Sequence, residues 1–349
     1  MRQQRIIAFF CVICLCLCGC TAQPRLGERA IVKAIYLDQT DNIITVALVV
    51  FTCASGTDLS SVSGQARIYT GSGNSVDDAI HAAEKEQNKH PFYAQNELLL
   101  LGDGAVQGAA APLLSYFAQD DTMRQNLHVF YTPATLQELI DCEPHMSEIV
   151  RVCEGMIHKS ADDSHAAQSI YALDENACGY LPILKLQNSE TTPVQMDGLL
   201  LLQNGTAMTT LRDLPLQLTL LLSQQTNALT LHFTADECAT TVVTQNLFLQ
   251  KEIKNKTLVL KLCGRAERCT QNGRILEEEM QTHVLACVNE QLEQAFLQLN
   301  DSTFLQENDI FHFTWWLRQN DNVAVEQLLQ DEKFYHPQRV QFISALRAQ

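Results

Sequence analysis

The chain has 349 residues, 46% of them hydrophobic, which is length and apolar content enough for two domains with real cores. Acidic residues outnumber basic ones by 40 to 24, a formal net charge of −16. That balance argues against nucleic acid as a partner, which rewards a basic face, and against general attraction of the body to anionic lipid headgroups.

At the N-terminus, Arg2 and Arg5 precede an uncharged run from Ile6 to Leu17. The run is about half to two-thirds of the ~20 apolar residues that cross a bilayer as a helix, so residues 1–19 read as a secretory signal. Leu17, Cys18, Gly19 and Cys20 resemble a bacterial lipobox, in which diacylglycerol joins the cysteine thiol before the peptidase cuts in front of it. Thr21-Ala22-Gln23-Pro24 follows as a polar breaker. Removal of residues 1–19 takes Arg2 and Arg5 and no acid, leaving 330 residues with a charge of −18. Two acyl chains on Cys20 are a stable anchor, so the expected location is the outer face of a membrane. Among the eight cysteines beyond Cys20 no pair is spaced Cys-x2-Cys, which removes the zinc-ribbon and thioredoxin readings. Cys53 ends an apolar strand and Cys287 lies on an apolar helix face, as free thiols do; Cys263 and Cys269 are the best pair if a disulfide exists.

Residues 30–37 and 43–53 flank a polar turn and predict a β-hairpin. Asn74 and Ser75 then open a helix with Asp77 and Asp78 in its first turn. A strand is expected at 96–101, a helix at 105–117, a strand at 126–131, and helices at 135–141 and 147–158. Residues 159–176 are polar. A second polar stretch at 187–195 carries Pro193, and the main boundary is placed there, giving an N-terminal domain of 20–190 and a C-terminal domain of 191–349. Asn204-Gly205 between two strand-like runs is a strong hairpin signal. A helix at 214–223 and strands at 228–233, 239–247 and 257–263 follow. The clearest helix is 276–299, with Leu276, Met280, Val284, Val288, Leu292, Phe296 and Leu299 at helical spacing. A short aromatic segment, 311–317, and a strand at 340–346 complete an α+β pattern of mixed and antiparallel sheets with packed helices.

Chemistry is sparse along this pattern. Gly102-Asp103-Gly104-Ala105-Val106-Gln107-Gly108 sits where a dinucleotide loop would, yet its third glycine comes one residue late, and it reads as a tight turn. Neither a Gly-x-Ser-x-Gly elbow nor His-Glu-x-x-His is present, and no two of the ten histidines stand three or four residues apart, so neither a catalytic site, a metal site nor a cofactor is expected. Glu277 to Glu279 complement a helix dipole. Trp315 and Trp316 point different ways on a helix, one toward a core and the other toward solvent, where it can serve a partner interface.

Beyond these local readings, Glu28 to Asp38 leading into Ile43 to Val50, then Tyr69-Thr70-Gly71, Asn96 to Gly102, Arg124, Asn126 to Phe130, Ala134 to Leu139, Asp197 to Leu202, the 276–299 helix and Asp309-Ile310-Phe311 follow a known order. The chain resembles the Ger(x)C family, the lipoprotein C subunits of nutrient germinant receptors in endospore-forming bacteria. Thr21-Ala22 stand where members usually carry Trp-Asp. The resemblance implies three mixed α+β subdomains without enzymatic activity, partnered by two integral membrane subunits, A and B, at the inner spore membrane. A solute-binding lipoprotein of a transporter is the alternative, and it requires two doubly wound lobes around a cleft.

Overall fold

The computed structural model describes residues 29–52, 66–108, 110–119, 127–158, 178–189, 191–235, 238–330 and 339–348, together with 123, 168–170, 173, 335 and 336. The expected signal segment, the lipobox from Leu17 to Cys20, and Cys53 lie outside these residues. The chain enters the fold as strand β1 (Arg29–Thr40), turns at Asp41 and Asn42, and returns as β2 (Ile43–Thr52). Both turn residues have positive φ, 50° and 66°, the conformation whose twist matches a two-residue hairpin.

The first sheet has ten strands among the described residues. Antiparallel β3 (Ala66–Gly73) extends the hairpin, while β4 (His90–Phe92) and β5 (Leu98–Leu101) pair with β1 in parallel. Parallel strands β6 (His128–Tyr131) and β8 (Gly179–Leu186) continue it beyond β5, with the short β7 (Gln168–Ser169) beside β6. Antiparallel β9 (Val194–Gln203) and β10 (Thr206–Leu211) close the far edge.

Helices cover both faces, which explains why β5 is four consecutive leucines. Leu99 and Leu101 pack with Ala79 and Ile80 of α1 (Val76–Lys85) and with Leu113 and Phe117 of α2 (Ala110–Gln119). Leu98 and Leu100 face the other way, onto Leu139 of α3 (Leu136–Asp141) and Ile149, Val150 and Cys153 of α4 (Met146–His158). Each such leucine contributes about 1.5–3 kcal/mol relative to exposure. A bulge in β1 between Val32 and Ala34 resets the alternation, and the intervening Lys33 pairs with Glu154 of α4 at 3.0 Å.

After α5 (Asp213–Leu222) comes a five-stranded sheet of β11 (Leu229–Ala235), β12 (Cys238–Lys254), β13 (Thr257–Gln271), β14 (Arg274–Ile275) and β15 (Val340–Arg347), the last parallel to β13. One face carries Val242, Leu258, Leu260, Leu262 and Phe342, packed against α5, α6 (Glu278–Ser302) and α7 (Phe313–Gln330). The edge strand β15 is capped from α6. Asn289 Oδ1 accepts the Leu346 amide at 3.0 Å, its Nδ2 donates to the Leu346 carbonyl, and Glu293 accepts the Ser344 amide at 3.0 Å. Side chains thereby occupy the backbone groups that would otherwise template another strand.

Several sequence expectations change. The division at 190/191 falls in the connection between β8 and β9, which pair from Gly179–Leu202 to Leu186–Val194 in one sheet. Tyr180, Leu199 and Leu201 of those strands belong to the core of the second sheet, so the two sheets share packing. Cys263 and Cys269 cannot form a disulfide, because both lie on β13 and six residues of strand separate them by roughly 20 Å. The helix expected from Ala105 begins at Ala110, and the short 311–317 segment is an 18-residue helix.

Candidate functional site

The tight turn read at Gly102 to Gly108 lies at the C-terminal ends of parallel strands β1, β5 and β6, where open sheets place ligands. Here the turn fills that place itself. The Asp38 carboxylate accepts the amides of Gln39 at 2.9 Å and Ala105 at 3.1 Å, and the Gly102 amide donates to the Leu37 carbonyl at 2.8 Å. A Cβ at Gly104 would stand 1.8 Å from the Gln39 carbonyl oxygen, so only glycine lets the turn close on β1. Tyr36 shares its hydroxyl proton between Asp38 at 3.3 Å and the Ala134 carbonyl at 3.2 Å, and Tyr131 donates to Asp103. Burial first, then the nearby carboxylates, push both phenols well above their ordinary value. Both carboxylates are thus committed to locking the turn. Among the described residues no three metal-ligating side chains cluster.

The two tryptophans lie in the first turn of α7. Asp309 caps that helix, its carboxylate accepting the amides of Phe313 at 2.8 Å and Thr314 at 2.6 Å. Beneath it, Phe313 stacks near Phe304 and Phe311, with ring centroids at 6.1 and 5.2 Å. Trp316 is half-buried against this core, with the Lys251 ammonium 6.0 Å from its ring centroid. Desolvation lowers the Lys251 pKa, against the opposing pull of Asp309. Trp315 points outward and is 62% exposed. The capped, packed helix thus holds one aromatic side chain against the core and its neighbour at the surface.

One feature that sequence reasoning missed is the outer face of the second sheet. Its β13 alternation, with Leu260 and Leu262 inward and Lys261, Cys263 and Arg265 outward, was the available signal. Reading that strand to only Cys263 left its basic half outside the pattern. No helix among the described residues is long and apolar enough to cross a membrane.

Residues 23–186 match the spore germination protein N-terminal domain, which spans β1 to the end of β8. Among solved structures, the fold is similar to the crystal structure of the GerBC protein, with a TM-score of 0.53 at 12% identity, covering 90% of this chain and 96% of that one. No curated protein matches the sequence. The mixed α+β architecture thus follows that of GerBC over nearly all of the chain, and the match of residues 23–186 to a spore germination domain supports the resemblance to the Ger(x)C family.

Proposed function

We propose that this chain is the lipoprotein C subunit of a nutrient germinant receptor, held to the spore inner membrane through diacylglycerol on Cys20 and acting without catalysis by binding two integral membrane subunits. The match of residues 23–186 to a spore germination domain carries the reading. The topology supports it over a solute-binding lipoprotein, because the first sheet is a single mixed layer and the second is largely antiparallel, unlike two doubly wound lobes. A two-chain anchor raises the local concentration of the body beside its partners, so a modest interface around Trp315 would suffice.

Deletion of the gene is expected to abolish spore germination in response to one class of nutrient while leaving a non-nutrient trigger effective. The Cys20→Ala chain should take up no palmitate label and reproduce the deletion. Normal nutrient germination in the deletion, with transporter subunits recovered alongside the tagged protein, would overturn the reading.

A further inference from the structure

The outer face of the second sheet concentrates positive charge on an acidic protein. Residues paired across it stand in rows: Gln245, Arg265 and Arg347; Phe248, Cys263 and Ala345; Gln250, Lys261 and Ile343. Arg268 lies beside Val243 one row further along, and Lys254 closes the other end. His232 and Thr241, joined at 3.0 Å, mark the same face on β11 and β12, and Cys263 approaches Gln250 across it at 3.9 Å.

Among the described residues the carboxylates on this face are Glu252, paired with Lys254 at 2.5 Å, and Glu267 in the bulge of β13. Glu278 reaches its margin, where it shares an open groove with Glu267, Arg268 and Ile275. Lys261, Arg265, Arg268 and Arg347 make no ion pair among the described residues, and all but Lys261 are exposed. Exposed apolar side chains stand singly among them: Phe248 at 53%, Ile343 at 42% and Ile275 at 74%.

We propose that this open sheet face docks on the anionic phospholipid headgroups of a membrane. The overall charge of −16 does not oppose it, because at contact only charges within about a Debye length, ~8–10 Å, act on the bilayer. From Lys261 to Arg268 the cations span roughly 23 Å of strand, a spread that suits many separate headgroups. A protein interface gathers its apolar residues in the centre and depletes lysine there, whereas here Lys261 lies between Gln250 and Ile343 in the middle of the sheet. Long cationic stems with a few apolar tips match the headgroup region, where the charges stay wet and the tips reach the acyl boundary. From the germinant-receptor reading this inference needs only that the body work beside a membrane.

The full chain, produced without its lipid, is mixed with vesicles of phosphatidylcholine alone or of equal parts phosphatidylcholine and phosphatidylglycerol, then sedimented. Binding to the phosphatidylglycerol vesicles alone, weakening as salt is raised, is expected. The Lys261→Glu/Arg265→Glu/Arg347→Glu variant should lose on the order of a hundredfold in partition, since each cation near the surface contributes about fivefold. Phe248→Ser should weaken binding further at unchanged charge. A matched reversal on the first sheet and its helices, Lys85→Glu/Arg151→Glu/Lys185→Glu, should bind as the unmodified chain does. Circular dichroism confirms that each variant is folded. Equal binding to both vesicles, or equal loss in the two triple variants, overturns the proposal. So does a face variant that binds vesicles normally but no longer recovers membrane subunits, which would assign the face to an acidic protein partner. A normal germination phenotype in the deletion strain would remove the receptor reading while leaving the vesicle result standing.

Discussion

Cys153 is fully buried on the inner side of α4, where desolvation, aided by the charge of Glu154, pushes its thiol up to about 12 from an ordinary 9.0. The folded value lies above the unfolded one, so the neutral thiol contributes stability that is complete below about pH 9 and is lost as the pH rises toward 12. Burial raises the Cys142 thiol as well. Melting curves between pH 9 and 12 should therefore fall more steeply for the wild-type chain than for Cys153→Val, which cannot ionise there; equal slopes would contradict the assignment. At pH 8 a thiol reagent should modify the half-exposed Cys263 and Cys287 in the native protein and reach Cys153 only after denaturant is added. The polar counterpart is Asn289, whose single amide group serves both the carbonyl and the amide of Leu346 and also the Ser344 hydroxyl at 2.6 Å. Its identity is set by the edge it covers.

At the scale of elements, α1 lies directly on β3, and the contact is possible because β3 carries Gly71. A Cβ there would stand 2.2 Å from the Ala79 carbonyl oxygen and 2.3 Å from the Ala83 amide nitrogen, both backbone atoms that cannot rotate away. Gly71→Ala should cost at least about 3 kcal/mol, read from denaturant midpoints, because the whole helix must lift off the sheet. Gly155→Ala is the matched control, since nothing lies within 4 Å and a helical alanine stabilises by about 0.5–1 kcal/mol. Similar losses in both would show that β3 and α1 are not in close contact. Elements of this kind were legible where one physical signal dominated: the Ser75 cap of α1, the Asn204-Gly205 hairpin and the long apolar stripe of α6. Others were not. β12 runs on past Leu247 because a bulge, with Asn246 at φ 53°, interrupts its alternation and then restores it. β3, β4 and β8 escaped notice because their stability comes from distant neighbours and not from local pattern. α7 outlasts the polar Asn320-Asp321-Asn322 stretch, where Asn320 donates its side chain back to the Trp316 carbonyl at 2.8 Å. Of the candidate site, the opposite orientation of Trp315 and Trp316 was legible from adjacency on a helix. The basic face was not, since its members come from three strands and net charge averages them away.

For the whole molecule, the polar stretch at 187–195 looked like a linker, and the match to a spore germination N-terminal domain also stops at residue 186. A polar, proline-containing turn serves a hairpin as well as a linker, and here the stretch joins two paired strands. β9 lies against β8 along its whole length, and Leu200 and Leu202 of β9 enter the core of the first sheet while Leu199 and Leu201 enter that of the second. A fragment ending at Glu190 loses Leu200 and Leu202 from the core of the first sheet, about 3–6 kcal/mol by burial alone, and the strand that pairs along β8. That loss is comparable with the ~5–15 kcal/mol total stability of an ordinary domain, so the fragment should not fold. A fragment ending at Arg212 keeps β9 and β10, together with the 2.7 Å bond from the Ala207 amide to the Val106 carbonyl that ties β10 to the Gly102–Gly108 turn. It exposes Tyr180, Leu199 and Leu201 but leaves the first sheet closed. The longer fragment is therefore expected to express in soluble form and to unfold cooperatively in urea, and the shorter one to aggregate or melt without a transition. A cooperative transition in the fragment ending at Glu190 would mean that β8 is a sufficient edge and that the molecule divides at 190/191 after all.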